Sequence, residues 1–454
     1  MLPQFLSQWI AHTVDFVWGT PLVVLLMGGG LGLFIYSSFL PLRGFFHAFQ
    51  LIFGKHSTDE EKAEGQLSHF QALTNALAAT VGMGNIAGVA VAITQGGPGA
   101  VFWMWIAAIV GMNTKFYECT LSVMYRGHDY RGEVQGGPMY VISQAMPKKF
   151  LPAAYFFAIC GTIGCMALFN VNQLSSYLNE EYNIRPIYIG FISAVFVAFV
   201  LKGGVRRLGN VTGVLVPLMA VIYFFGSLLV ILLNAGKVPE LFLLIFKDAF
   251  TGQAMFGGAV GYGFLEVMKV GVKRAAFSNE AGVGTAPMAH GNAKTAEPIS
   301  EGLVAMLGPF FDTIIICTMT ALVILITLPI ETFKQSEGVH ITIAAFETTL
   351  PGFGRHILGL AVLLFSVTTM IGMANYNEKC WNFLFRGRWG LGENTFIAVF
   401  CATLIFGAIS ALDDVVNILD IGFGLMAYPN MITTLWLAPK VKSALKDYFK
   451  RYKI

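Results

Sequence analysis

Apolar runs long enough to cross a membrane recur from one end of the chain to the other, separated by short polar stretches that hold most of its basic residues. A helix rises about 1.5 Å per residue, so about 20 apolar residues cross a hydrocarbon core of ~30 Å. By that measure the pattern predicts eleven spans, near residues 13–40, 70–94, 98–125, 150–178, 186–201, 210–234, 255–290, 299–329, 353–378, 394–411 and 414–438. The fifth is short. The seventh is too long for one straight crossing and needs an interruption inside it. The longest polar stretches, 41–69 and 126–149, leave room for short surface helices and for no separate soluble domain.

Two spans break the pattern. The second reads TVGMGNIAGVA from Thr80, with Gly82, Gly84 and Asn85 where a membrane helix should be regular. An unpaired backbone group in hydrocarbon costs several kcal/mol, so a broken helix survives there only when buried in protein or lining a cavity. The seventh carries FSNEAGVGTAP, Phe277 to Pro287, with Ser278, Asn279, Glu280, Gly282 and Gly284. A competing break lies at Gly257-Gly258 to Gly263, and a third reading leaves Ser278 to Glu280 as a helix cap in a cytoplasmic loop. The two irregular spans stand five apart. Two five-helix repeats in opposite orientation would each begin with a broken helix and leave the first span as an extra. The expected organisation is therefore all-α and polytopic. Residues 1–64 hold the extra helix and a cytoplasmic loop, and 65–234 the first repeat. Residues 235–438 hold the second repeat with its extracellular lead-in, and 439–454 a basic cytoplasmic tail. The run Gly28-Gly29-Gly30 reads as close helix packing.

With 56% apolar and 12% charged residues and a mean hydropathy of +0.66, the chain is not a water-soluble multidomain protein. Its net charge of +3 sits mainly in loops, where it speaks to topology rather than to nucleic acid. One alternate set of loops holds 22 Lys and Arg, or 20 if Lys273 and Arg274 belong to the seventh span. The other set holds only Arg185, Lys237, Lys247, Lys334 and Arg355. The excess places the C-terminus in the cytoplasm and the N-terminus outside a cell membrane. No Lys or Arg precedes Arg43, which argues against a cleaved signal peptide. The six cysteines lack CxxC spacing and accompanying histidines, and read as small buried hydrophobes.

Unwinding at the second-span break aims the N–H groups of the following half-helix at an anion, for which a carboxylate fits. The carbonyls around Ala78 to Val81 lose their intrahelical partners and suit a small hard cation. The plainer reading is a packing face, since Gly84 and Gly88 are four apart. In the ninth span, Thr368 and Thr369 either supply oxygens to that cation or bond to their own helix. In the fourth, Gly164 would let a small ligand approach, while Asn170, Asn172 and Gln173 face either that ligand or the outer interface. Met370 and Met373 form an adaptable wall or ordinary core. Asp312, the most central charge, either balances a cation near Asn85 or is paired structurally. Lys115 with Glu118, and Glu266 with Lys269, stand three apart and are expected to pair.

The stretch GGPGAVFWMWIAAIVG, Gly96 to Gly111, resembles the signature of the alanine or glycine:cation symporter family. TVGMGNIAGVA and VKRAAFSNEAGVGTAP are similar to the same family, and the match runs through nearly the whole chain. GMGN and the glycine turn after it also resemble the first core helix of neurotransmitter:sodium symporters. The resemblance implies a LeuT-type fold with a five-plus-five inverted repeat. It also implies Na+-coupled symport of alanine or glycine, with no enzymatic activity and no organic cofactor. The surroundings would be the lipid bilayer, with no nucleic acid and no obligatory protein partner. It further implies Na+ held by the carbonyls of Ala78, Val81 and Phe365 and the hydroxyls of Thr368 and Thr369. The substrate carboxylate would meet amides near Gly82, Gly84 and Asn85, and its ammonium would meet groups near Thr80 and Phe277, Ser278 and Asn279. Phe277 and Met373 would limit pocket depth, beside Gly164 and Asn170. Proton coupling through Glu280 or Asp312 is the nearest alternative. A channel would need a continuous polar lining, and an intramembrane enzyme lacks an HExxH pair or a base for Ser278.

Overall fold

The computed structural model describes residues 3–53, 65–251, 263–328 and 337–452. Helix dominates because hydrocarbon offers the backbone no hydrogen bonds, so each crossing segment must satisfy its own. The described strands are the two-residue pair β1 (Gly127–His128) and β2 (Val134–Gln135), joined antiparallel with Gly127 opposite Gln135.

The first crossing is α1 (Gln4–Val17) and α2 (Thr20–Tyr36), joined at Trp18-Gly19. It starts earlier than the apolar run because α1 is amphipathic, with polar Gln4, Ser7, Gln8 and His12 ahead of the run. After α3 (Phe45–Ile52) comes the first interrupted span. Its first half, α4 (His69–Thr80), starts on a capping box in which Ser68 and Gln71 satisfy each other's backbone N–H. A π-helical turn, Gly84–Gly88, leads from it into α5 (Val89–Gly96), and the two halves are bent by 52°. Next come α6 (Gly99–Met124), the β pair and α7 (Pro138–Ala145). The fourth span divides into α8 (Leu151–Gly164) and α9 (Leu168–Tyr182), an interruption that the apolar pattern did not reveal. The chain continues through α10 (Pro186–Leu201), α11 (Gly204–Leu233) and α12 (Val238–Thr251).

The second interrupted span is α13 (Phe264–Asn279) and the short α14 (Ala286–His290). Glu280, Gly282 and Gly284 between them all have positive φ, at 59°, 82° and 95°, a backbone that suits glycine and that Glu280 adopts at a cost. The competing break at Gly257-Gly258 lies outside the described residues. Ser278 and Asn279 end α13 and Glu280 caps it, and all three are buried inside the protein at 1% exposure or less. Lys273 and Arg274 belong to α13 and leave the loop tally at the lower figure. Then follow α15 (Pro298–Ala305), a π-helical stretch Phe310–Cys317, α16 (Thr318–Thr327), α17 (Val339–Thr349), α18 (Gly354–Phe385), α19 (Glu393–Ile409) and α20 (Leu412–Tyr452). The expected basic tail is the end of α20, anchored by a 2.7 Å hydrogen bond between Tyr448 Oη and His47 Nε2. Among the described residues, seven helices are long and apolar enough to cross a membrane, or eight if the bent α4–α5 pair counts as one span. Pro186–Leu201 is a shorter apolar helix.

Glycine lets these helices approach closely. A Cβ on Gly372 of α18 would lie 2.7 Å from the Ala79 nitrogen, one on Gly422 of α20 would lie 2.5 Å from Gly164 Cα, and one on Gly30 would lie 2.5 Å from Val110 Cγ1. Small residues at such crossings gain dispersion contact where lipid tails provide no hydrophobic drive. In the glycine run of the first span, Gly30 packs against α6 and Gly29 against Met431 and Leu435 of α20, while Gly28 is open. Lys269 pairs with Glu266 at 2.7 Å as expected. Glu118 instead takes a 2.6 Å hydrogen bond from Asn430 Nδ2. All six cysteines are free.

Gly422→Val is expected to force α8 and α20 apart and to cost about 1–3 kcal/mol or more, read as a lower melting temperature in detergent. Gly28→Ala, whose added Cβ would meet only Val24 at 3.8 Å, should leave it unchanged. Equal melting of the two variants would show that the α8–α20 crossing is not tightly packed.

Candidate functional site

At the end of α4 the helix ladder stops. The Val81 N–H still bonds to the Leu77 carbonyl at 2.7 Å. The Gly82 N–H, which would continue the ladder to Ala78, donates instead to Asn85 Oδ1 at 2.8 Å. That side chain therefore unwinds the helix and leaves the Ala78 carbonyl without its helical partner. Farther on, the Ile86 carbonyl accepts from Thr342 Oγ1 at 3.1 Å, tying the turn to α17.

The other end of the Asn85 amide reaches the eighth span. Nδ2 donates to Asp312 Oδ1 at 2.7 Å and to the Asp312 carbonyl at 3.1 Å. Asp312 Oδ2 accepts from Ser278 Oγ at 2.8 Å and from Thr313 Oγ1 at 2.7 Å. Asn279 Nδ2 donates to Thr313 Oγ1 at 3.0 Å, while its Oδ1 accepts from the Ala281 N–H at 3.0 Å. Asp312 is fully buried, and its carboxylate joins the two interrupted spans. Of the two readings of Asp312, the structure shows a direct contact with Asn85.

On the opposite side of the breaks lies a small cavity of about 20 Å³. Seven of the ten expected substrate residues line it: Thr80, Gly82, Gly84, Gly164, Asn170, Phe277 and Met373. The side chains of Asn85, Ser278 and Asn279 do not; they are spent on Asp312, Thr313 and the loop backbone. Phe277 is fixed by edge-to-face contacts with Phe169 and Phe423, at ring separations of 5.4 and 5.6 Å. On its other side the Arg274 guanidinium sits 5.3 Å from the ring centre. Arg274 is itself ion-paired with buried Asp420, which also faces Lys273 at 3.4 Å. Phe277 thus stands between the cavity and a buried ionic cluster.

Of the expected ion residues, Thr369 lies at this corner, while Val81 lines a separate apolar cavity and Thr368 Oγ1 also faces Met219 Sδ at 3.2 Å. Thr369 lines the cavity, and its Oγ1 is buried with no hydrogen-bond partner among the described residues. It faces the broken helix so closely that a Cβ on Gly82 would lie 2.0 Å from it. Thr368 Oγ1 lies 2.8 Å from the Leu364 carbonyl and 3.1 Å from that of Phe365, so it does bond its own helix. Around the breaks, three buried carboxylates (Glu118, Glu280 and Asp312) share one buried ammonium, Lys115, which lies within electrostatic reach of all three. Glu118 Oε1 and Glu280 Oε1 have no hydrogen-bond partner among the described residues.

Sequence reasoning missed Ala79, Met166, Leu419 and Phe423 in the cavity wall. Met166 falls in the unrecognised α8–α9 interruption, for which Gly164 was the available signal. Leu419 and Phe423 are apolar positions of a long helix, and nothing in their spacing separates a cavity-facing residue from a packed one.

The profile of the sodium:alanine symporter family matches residues 3–454. An uncharacterized transporter of Haemophilus influenzae is 39% identical over 98% of this chain and 97% of its own. The sodium/alanine symporter AgcS of Methanococcus maripaludis is 39% identical over 97% of this chain and 96% of its own. The amino-acid carrier protein AlsT of Bacillus subtilis is 33% identical over 100% of this chain and 94% of its own. Among solved structures, MhsT in complex with L-phenylalanine overlaps 83% of this chain and 99% of that chain, at a TM-score of 0.49 and 12% identity. With interrupted helices meeting at a buried cavity and a match along the full chain, this protein is a membrane transporter and belongs to the sodium:alanine symporter family.

Proposed function

We propose that the chain carries small neutral amino acids, alanine and glycine, into the cell together with Na+ by alternating access. The observation that carries this reading is the Thr369 hydroxyl. It is buried without a hydrogen-bond partner among the described residues, beside a helix end whose Ala78 carbonyl has lost its helical partner. Buried oxygens without donors are costly, and a small hard cation satisfies several at once. The site assigned to Na+ comprises the carbonyls of Ala78, Val81 and Phe365 with the hydroxyls of Thr368 and Thr369. Thr368 gives its proton to a carbonyl of its own helix and keeps lone pairs for the ion. Na+ is the coupling ion in this reading, and the printed name of AgcS, a sodium/alanine symporter, agrees with it.

The amino acid would occupy the adjacent cavity once alternating access widens it, since about 20 Å³ holds little more than one water. Its carboxylate would lie against the Met83 and Gly84 N–H groups, since Gly82's is taken by Asn85, and the positive end of the following half-helix would add attraction. The ammonium would face Thr80 and the backbone carbonyls of Phe277, Ser278 and Asn279. Phe277 and Met373 would close off depth and so favour small side chains. The assigned architecture is eleven crossings in a LeuT-type five-plus-five inverted repeat with one extra N-terminal helix. The N-terminus lies outside the plasma membrane and the C-terminus in the cytoplasm.

Alanine and glycine are zwitterions at neutral pH, so the membrane potential acts on the cation alone. A 100 mV potential contributes ~2.3 kcal/mol and a tenfold sodium gradient ~1.4 kcal/mol, which together support roughly 500-fold accumulation for one ion per substrate.

A second reading, proton coupling, is favoured by the excess of buried carboxylates over Lys115. Uptake into sodium-free vesicles under an imposed pH gradient separates the two. Accumulation there would overturn Na+ coupling; none is expected. Thr369→Ala should raise the Na+ concentration needed for half-maximal alanine uptake by about tenfold or more, the worth of one oxygen bound to a charge. Unchanged sodium dependence would overturn the assigned ion site. Phe277→Ala should let larger neutral amino acids compete with labelled alanine while glycine uptake persists; unchanged selectivity would remove Phe277 from the pocket wall.

A further inference from the structure

A cavity larger than the one at the breaks lies elsewhere in the helix bundle. It opens between α4, α11, α3 and the π-helical stretch, with a volume of about 440 Å³, within the range of roughly 300–1,000 Å³ seen for ligand pockets. Its wall is almost wholly apolar, and the one polar residue in it, Thr74, spends its hydroxyl on the Gln71 carbonyl at 3.2 Å. Such a space holds no water, because water there would find no partners.

Its position identifies the occupant. Phe53, Phe70, Val221 and Phe225, at 81, 42, 52 and 61% exposure, form its rim. They continue into the outward-facing apolar surface of a membrane-spanning helix, so the cavity is open to bilayer lipid. Helices α4 and α11 run side by side in one direction, with Gln71 Nε2 donating to Asn210 Oδ1 at 3.3 Å near their starts. At that same end stand two exposed cations, Lys202 and Arg207, the second also donating from Nη1 to the Phe199 carbonyl of α10 at 3.1 Å. The geometry points to a resident acyl chain of an anionic phospholipid, its tail in the cavity against Leu77, Val81 and Ala220 and its headgroup near Lys202 and Arg207. That end faces the inner leaflet in the orientation proposed above, but occupancy does not depend on the orientation or on the transport reading. Lipid tails are as apolar as the wall, so the tail is retained by dispersion contact on several sides, and the two cations select the headgroup.

The test uses the purified full chain in vesicles of phosphatidylethanolamine and phosphatidylglycerol, doped with phosphatidylglycerol bearing a photoreactive diazirine in mid-chain. After irradiation, labelling of peptides covering 70–81 and 216–225 should exceed that of the exposed apolar face of α10, residues 187–196, which stops short of the Phe199 contact with Arg207. Ala220→Phe, or Leu73→Trp from the opposing wall, should reduce it to the level of that face, with α10 labelling unchanged. Replacing Lys202 and Arg207 together by Gln should lower the preference for the phosphatidylglycerol probe over a phosphatidylcholine probe by about tenfold. Wild-type labelling no higher than on α10, or labelling that survives cavity filling, would overturn the site; an unchanged headgroup preference would overturn the anionic assignment. None of these readouts is uptake, so the site can fail while the transport reading stands.

Discussion

The carboxylate of Asp312 is the point from which both interrupted helices are held. A helix that stops inside a membrane strips its own backbone of partners, and lipid cannot replace them. Here the replacement is a side-chain bridge. Asn85 stops the second span by taking the Gly82 N–H and passes its amide to Asp312, while Ser278, from the end of α13, occupies the other carboxylate oxygen. The widened π-helical turn of the eighth span sets Thr313 beside Asp312, and Thr313 in turn receives Asn279. Charge-assisted hydrogen bonds of this kind are the strong ones, and in a buried site they are what makes an ionised carboxylate tolerable.

Because the polar side chains at the breaks are occupied with one another, the cavity on the far side is left mostly to backbone, small residues and apolar walls. Gly82 illustrates the constraint. Its α-carbon faces Thr369 so closely that a methyl group would overlap the hydroxyl, so any side chain there would fill the corner where broken helix and α18 meet. Gly372, one turn farther along α18, lets that helix touch Ala79 by backbone. The close approach that forms the corner and the absence of side chains within it are one feature.

Much of this was legible in the sequence. Hydropathy located the apolar helices, and the glycines with Asn85 and with Ser278 to Glu280 located both breaks, because such residues have no reason to stand in a plain membrane helix. What was illegible depends on distance through space. Asn85 could be read as polar and buried, and Asp312 as central, but sequence carries no measure of their separation. The role of Asp312 therefore stays open in the sequence, and Asn85, Ser278 and Asn279 read as substrate groups when their side chains face Asp312, Thr313 and the loop backbone. The interruption at Cys165 to Ala167 escaped notice because those residue types are as common in helices as in turns. The extension of α20 through the basic tail escaped because charge ends an apolar run without ending a helix. Tyr448, seated on His47, shows that the extension has its own packing.

The charge distribution around the breaks bears on why amino acid and cation would travel together. Glu118, Glu280 and Asp312 face a single ammonium, Lys115, in a region where water is excluded. Asp312 is compensated by three donors, while one oxygen each of Glu118 and Glu280 has no hydrogen-bond partner among the described residues. A substrate carboxylate brought to the Met83 and Gly84 amides adds a negative group to a neighbourhood already crowded with carboxyl groups, with its own ammonium a few bonds away. Opposite charges attract more strongly as the effective dielectric constant falls, so a cation between the Thr369 hydroxyl and the freed Ala78 carbonyl would offset that addition. The substrate would do the same for the cation. Each ligand lowers the electrostatic cost of the other, and such coupling is reciprocal by thermodynamic necessity. In the proposed mechanism, coupling arises from two opposite charges sharing one buried site and needs no separate signalling path between distant sites.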